Sequence, residues 1–289
     1  MLLGGIEGGH QKFIVAVSNQ AFGIIARKEI ATDVPSVTMQ AIFDFFDQYP
    51  ELVAIGIGAF GPIDTRPLSY TYGQVLTTPV AGWSGYQFLA GMQKWRDDLA
   101  YYWTSNINAA AWAEYLNGSG QRANTMLYLN VGNDVGMSIV HNGKLYAGAG
   151  MPQGGHVLVT TRQDDSYEGY CPFHGNRCLE GLVAGPAVKA RYGIEAVDLA
   201  DDHPAWELIA DYVSQALISA TVLLRPNCIV LGGGILQRPH LVARIKDQYQ
   251  LLSNHFLEQG SIIDQYILRG EYQEEADILG ALALAKSLV

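Results

Sequence analysis

Leu2-Leu3-Gly4-Gly5-Ile6-Glu7-Gly8-Gly9-His10-Gln11-Lys12-Phe13-Ile14-Val15-Ala16-Val17 opens the chain, and Met126-Leu127-Tyr128-Leu129-Asn130-Val131-Gly132-Asn133-Asp134-Val135-Gly136-Met137-Ser138-Ile139-Val140 repeats its plan about 125 residues later. Each stretch is an apolar run, a glycine-bearing turn and a second apolar run, which reads as strand, turn, strand. The recurrence points to an internal duplication of two α/β halves rather than a short-period repeat. A ligand is then expected in a central cleft between the halves.

The flanking sequence extends each unit. Phe22 to Ile30 continues as a third strand, and a helix signal starts at Asp33, with Pro35 in its first turn. Leu52 to Ala59 is apolar throughout, as buried parallel strands are. In the second half Asn142-Gly143 marks a hairpin. Ala205 to Leu224 has helical periodicity and stops before Arg225-Pro226. Asn227 to Leu231 is a buried strand ahead of Gly232-Gly233-Gly234, and Ile278 to Leu288 is an Ala/Leu-rich helix. The expected domains are 1–116 and 117–289, the last helix packing back on the N-terminal one.

Of the 289 residues, 49% are hydrophobic and 16% charged, and 18 basic against 28 acidic residues give a net charge of −10. A globular chain that acidic lacks the basic footprint that nucleic acid requires. The longest apolar run falls well short of a membrane span of about 18 residues. With three cysteines and no signal peptide, the expectation is a cytoplasmic chain without a disulfide framework.

Two of those cysteines bracket a histidine. Cys171-Pro172-Phe173-His174-Gly175-Asn176-Arg177-Cys178 holds two thiols and an imidazole in one loop, and His156 lies upstream. Two thiolates and two imidazoles form a closed tetrahedral set suited to structural zinc, with no position left to activate water. Cys228, inside an apolar strand, reads as core. The glycine turns Gly8-Gly9 and Gly132 to Gly136 are candidate phosphate cradles, because backbone N–H groups can approach an anion there. Gly232-Gly233-Gly234 could let a flat base lie close to the backbone.

Gly4-Gly5-Ile6-Glu7-Gly8-Gly9, Gly56-Ile57-Gly58-Ala59-Phe60-Gly61-Pro62-Ile63-Asp64, Tyr72-Gly73 with Thr78-Pro79 and Gly82-Trp83, and the Cys171 to Leu182 segment resemble the ROK family of sugar kinases, in particular its bacterial fructokinase branch. The resemblance runs from Leu3 to Ala285. It implies the actin/hexokinase-like (ribonuclease H-like) α/β fold and Mg-ATP-dependent phosphorylation of a hexose. It also implies sugar contacts from Asn108, Gln153, His156 and Glu180, His156 doubling as a zinc ligand, and a homodimer. The chain starts on the first strand, so the helix-turn-helix of ROK repressors is not expected.

The reacting positions depart from the family pattern. Its catalytic aspartate position is Asn106, in Asn106-Ile107-Asn108-Ala109-Ala110. An amide orients a hydroxyl but does not deprotonate it, and losing a general base costs roughly 10²–10⁴ in rate. The first phosphate loop, Gly-Gly-Thr-Lys in the family, reads Gly9-His10-Gln11-Lys12. The second reads Gly132-Asn133-Asp134-Val135-Gly136-Met137, with a carboxylate in the turn and bulk at Met137. Two unit charges about 4 Å apart repel by about 4 kcal/mol at an effective dielectric of about 20. The family's glutamate before Gly-His is Gln153. Intact scaffold motifs with altered reacting groups imply a sugar-binding chain with impaired phosphoryl transfer. A working kinase with a substitute base and a repurposed sugar enzyme are the alternatives. Tyr101-Tyr102-Trp103, Phe43, Phe45, Phe46, Trp83 and Trp95 read as core or subunit contact, and His203, His240 and His255 carry no assigned role.

Overall fold

The computed structural model describes residues 1–254, 256 and 262–289; His255 lies outside them. The chain divides into two compact units. Unit 1 is Met1–Ala113, Ala147–Met151 and Glu275–Val289; unit 2 is Glu114–Tyr146 and Pro152–Glu274.

Unit 1 carries a five-stranded sheet in the order β3-β2-β1-β4-β5, from β1 (Leu2–Gly8), β2 (Lys12–Asn19), β3 (Ile24–Ala31), β4 (Leu52–Ala59) and β5 (Ala100–Ser105). The first three strands are antiparallel, and β1, β4 and β5 run parallel. Helices α1 (Pro35–Phe46), α2 (Phe88–Trp95) and α3 (Asn106–Leu116) follow β3, precede β5 and follow β5. Helix α1 begins at Pro35 rather than at Asp33. The Asp33 N–H is taken by Thr38 Oγ1 and its carbonyl by Trp83 Nε1, which holds Asp33 outside the helix. On one face Phe13, Trp83, Phe88 and Trp103 pack ring on ring, with centroids 5.4–6.1 Å apart, making the aromatic core.

Unit 2 repeats the plan. Its sheet order is β10-β9-β6-β7-β8, from β6 (Thr125–Val131), β7 (Val135–His141), β8 (Lys144–Leu145), β9 (Cys228–Gly232) and β10 (Ile267–Arg269). An antiparallel β6-β7-β8 hairpin set is again extended by parallel strands, here β9 and β10. Asn142 and Gly143 turn the hairpin with φ of 50° and 70°, as the tight turn requires. Helices α4 (Leu179–Val183), α5 (Gly185–Tyr192), α6 (Ala205–Leu224), α7 (Pro239–Ser253) and α8 (Ile263–Tyr266) complete the unit. Helix α6 is long and apolar enough by composition to cross a membrane, although Glu207 and Asp211 interrupt its apolar runs. Its Trp206, Ile209, Val213 and Leu217 are instead buried in the unit's core.

The border falls at Ala113/Glu114, inside α3, against the expected 116/117. Glu114 is 1% exposed, and its carboxylate accepts the N–H of Ser119 and of Tyr272. That binds the end of α3 into unit 2. The last helix, α9 (Ala276–Lys286), lies on β1 and β4 of unit 1. Glycine makes that approach possible: a Cβ on Gly56 would collide with the Ala281 carbonyl, and one on Gly280 with that of Ala109.

Candidate functional site

The Cys/His loop is the best-defined centre of unit 2. One ligand atom from each of His156, Cys171, His174 and Cys178 lies within 4.8 Å of the others. The Cys171 sulfur is 3.6 Å from His174 Nδ1 and 3.9 Å from His156 Nδ1, and the Cys178 sulfur is 3.9 Å from His156 Nδ1. Tetrahedral zinc with bonds of about 2.3 Å to sulfur and 2.0 Å to nitrogen has sulfur–nitrogen edges of about 3.5 Å. The donor set therefore fits the ion closely. Both thiols are free and buried, and burial pushes Cys178 up to about 11. A cation that displaces the proton relieves this.

The same loop sets the polar groups beside it. Cys178 immediately precedes α4, whose second residue is Glu180. The Glu180 carboxylate accepts the Val135 N–H at 3.2 Å, so the metal loop and the Gly132–Gly136 turn are joined through one side chain. His156 closes the short turn Gly154–His156, which follows Gln153. That turn lies flat on β7. A Cβ on Gly155 would meet the Val135 carbonyl, and one on Gly154 would overlap the Met137 side chain. The bulk of Met137 is thus absorbed by Gly154, and Met137 is buried in the core. In unit 2 the structure brings together Gln153, His156, Glu180, the metal loop and the second glycine turn.

The Gly132–Asp134 turn is closed on itself. The Gly132 N–H bonds the Asp134 carbonyl at 2.9 Å, and the Gly132 carbonyl accepts from Gly185. Asn133 and Asp134 form its tip, with Glu180 on the N–H that follows. Asp134 and Glu180 thus place two carboxylates at this turn. At β9 a Cβ on Gly232 would strike the Tyr128 hydroxyl, and Gly233 has φ +84° beside the Val131 carbonyl. Packing and backbone conformation explain those two glycines; Gly234 alone has open space beside it.

In unit 1 the first turn is also closed, Gly9 N–H donating to the Lys12 carbonyl at 3.0 Å. Gly8 packs against Phe13, and the exposed His10 and Gln11 form the tip. The His10 ring lies edge-on to Phe60 with centroids 5.1 Å apart. Lys12 is paired with Glu29 at 2.9 Å. Asn106 starts α3, and its Oδ1 accepts the Ile107 N–H at 2.9 Å. Asn108 is 5% exposed, and its Nδ2 donates to Thr104 Oγ1. The first helical turn rests on Gly58, where a Cβ would lie 3.2 Å from Asn106 Cα.

Two acids gain significance from the structure. Asp64 is 2% exposed and takes hydrogen bonds from the Arg66 backbone and guanidinium and from the Thr71 hydroxyl. The Arg66 guanidinium holds its carboxyl far below the usual range. Glu7 is the opposite case, a carboxylate whose Oε2 is buried without a hydrogen-bond partner among the described residues. Its sequence signal was an acid within an otherwise apolar and glycine-rich strand, β1, whose Leu3, Gly4, Gly5, Ile6 and Gly8 are all buried.

Duplicated mixed sheets with a Cys/His loop define the class as an actin/hexokinase-like α/β protein. The family model described as ROK family matches residues 3–288, and the chain belongs to the ROK family. It is 37% identical to a putative fructokinase of Bacillus subtilis over 287 residues, covering 98% of this chain and 95% of that one. A fructokinase of Lactococcus lactis is 36% identical, with 99% and 97% covered. A ROK hexokinase from Thermus thermophilus superposes with a TM-score of 0.81 at 22% identity over 100% and 99% of the two chains. A ROK glucokinase from Streptomyces griseus, solved with glucose and AMPPNP, gives 0.78 at 20% over 99% and 100%.

Proposed function

We propose that this chain is a fructokinase-like sugar-binding protein in which transfer of phosphate from ATP to fructose, giving fructose 6-phosphate and ADP, is impaired. Full-length similarity to fructokinases supports the sugar class. The observation that carries the impairment is Asn106 at the head of α3, its amide oxygen engaged by the Ile107 N–H. The Asn106 amide nitrogen can donate to a sugar hydroxyl and orient it. It has no lone pair basic enough to take the hydroxyl proton.

Gln153, His156 and Glu180 offer a neutral amide, an imidazole and a carboxylate for a polyol, and Asn108 supports the head of α3 through Thr104. The closed Gly9–Lys12 and Gly132–Asp134 turns, with Asp134 and Glu180 beside the second, weaken the hold on a nucleotide. His156, Cys171, His174 and Cys178 would hold zinc, which fixes the loop carrying Glu180. The reading includes a cytoplasmic homodimer without nucleic-acid or membrane partners.

The test is ADP release by purified protein with Mg-ATP and a hexose panel led by fructose, beside an Asn106→Asp variant. Slow turnover is expected, raised roughly 10²–10⁴-fold by the aspartate. Turnover of the unmodified chain at about 10 s⁻¹, an ordinary enzyme rate, with no gain in Asn106→Asp, would sink the impairment.

A further inference from the structure

Val135, the first residue of β7, is gripped from two sides by segments that carry metal ligands. Its N–H donates to the Glu180 carboxylate at 3.2 Å, and Glu180 stands two residues after Cys178. Its carbonyl is covered by Gly155, which directly precedes His156; a Cβ there would collide with the Val135 oxygen. Both grips therefore start beside a member of the Cys/His set. A third contact holds the other end of the same turn, where the Gly185 N–H, at the start of α5, donates to the Gly132 carbonyl at 2.7 Å.

The link from ligand to turn is short and has little slack. Cys178 runs without a loop into the five-residue α4. The Leu179 N–H donates to the Val157 carbonyl at 3.0 Å, which ties the start of α4 to the residue after His156. The Gly181 carbonyl accepts the Tyr170 N–H at 2.8 Å, and a Cβ on Gly181 would collide with the Gly175 carbonyl inside the metal loop. Leu179, Gly181, Leu182 and Val183 are buried, while Glu180 is only half-buried. The one polar side chain of α4 is the one that holds Val135.

Resting on the reading of the second glycine turn as a phosphate position, we propose that the Cys/His centre and this turn are coupled through Val135, with Glu180 as the positioning residue. With His156 and Cys178 joined on one zinc ion, Gly155 and Glu180 are held together and Val135 is fixed between them. Let those two segments part, and Val135 loses one grip or both. A turn ordered in advance spares a phosphate ligand the cost of ordering it. Such coupling is reciprocal, so whatever loosens the turn weakens the metal centre by the same factor. Glu180 thereby has a task in the free chain besides the sugar contact proposed above.

The experiment takes the zinc-loaded unmodified chain, Glu180→Ala and Glu180→Gln, and measures amide hydrogen exchange together with zinc affinity by chelator competition. In Glu180→Ala, exchange over residues 132–136 should be roughly 10-fold faster and zinc held roughly 10-fold more weakly, the order for one hydrogen bond to a charged group. Glu180 is not a ligand, so the second effect has no other route. Glu180→Gln keeps an acceptor oxygen for the Val135 N–H and should stay close to the unmodified chain in both. The proposal fails if Glu180→Ala moves neither quantity or only one, or if Glu180→Gln behaves like Glu180→Ala. Exchange quickened equally over 132–136 and over α6 is a general loss of structure and also overturns it. Mg-ATP should slow exchange over 132–136 in the unmodified chain; no slowing, with the other results as expected, removes the phosphate reading of this turn and leaves the coupling standing. Should Glu180→Ala not fold, partial withdrawal of zinc from the unmodified chain decides, since exchange over 132–136 must quicken before that over α6.

Discussion

A carboxyl with one oxygen buried and without a hydrogen-bond partner among the described residues ties stability to pH. For Glu7 the folded value of about 7 lies above the ordinary 4.5, so the folded chain favours the protonated form. Its contribution is fully present below pH 4.5 and is lost as pH rises through 7, on the order of 2–3 kcal/mol. Glu7→Gln keeps the shape and removes the charge. It is expected to raise the melting temperature at pH 8 and to leave it nearly unchanged at pH 5, as differential scanning calorimetry would show; an equal shift at both values would contradict the assignment. Asn106, the Cys/His set and Asp134 were legible in sequence because each is a residue type at a recognisable place in a motif. The isolation of Glu7 was not, because it depends on how Lys12, Arg27, Glu29 and Glu275 pair, and pairing is a tertiary fact. Asn108 could be found by its motif, but its commitment to Thr104 could not.

At the scale of elements, α9 lies on its sheet only because glycines let backbone meet backbone. Gly56→Ala puts a methyl group where the Ala281 carbonyl stands. Helix α9 must then lift from β4, uncovering Ile278 and Leu282, both fully buried. Such overpacking costs about 1–3 kcal/mol, and urea titration should show it as a lower midpoint with an unchanged slope. An unaltered midpoint would mean that the helix is held elsewhere. Most elements were readable from periodicity: α6 spans Ala205–Leu224 as the apolar spacing indicates. The start of α1 was not, since Asp33 is held out of the helix by Trp83, fifty residues away in sequence.

For the whole molecule, the described residues form separate apolar clusters, two in unit 1 on either face of its sheet and one in unit 2. The metal loop belongs to unit 2. Trp83, Trp95, Trp103 and Trp112 lie in unit 1 and Trp206 in unit 2. A chelator that strips the Cys/His centre should therefore lower far-UV circular dichroism and the first thermal transition while leaving most tryptophan emission in place. Simultaneous loss of both signals would show that the units unfold together. The unit border was only roughly readable, because nothing in composition marks it. At it stands the buried carboxylate of Glu114, which accepts the backbone N–H of Ser119 and of the distant Tyr272.

The fit of Met137 against Gly154 bears on which mutational routes are open to this chain. A side chain at position 154 and a long one at 137 cannot coexist, because a Cβ at 154 would overlap Met137. Reduced to glycine, residue 137 instead leaves a gap beneath the Gly154–His156 turn, the turn that delivers a metal ligand. Either site changed alone passes through a strained or hollow intermediate. Residue 137 must therefore shrink before residue 154 can gain a side chain. A library that rebuilds the second glycine turn without varying residue 154 would search a region this scaffold has closed to single steps.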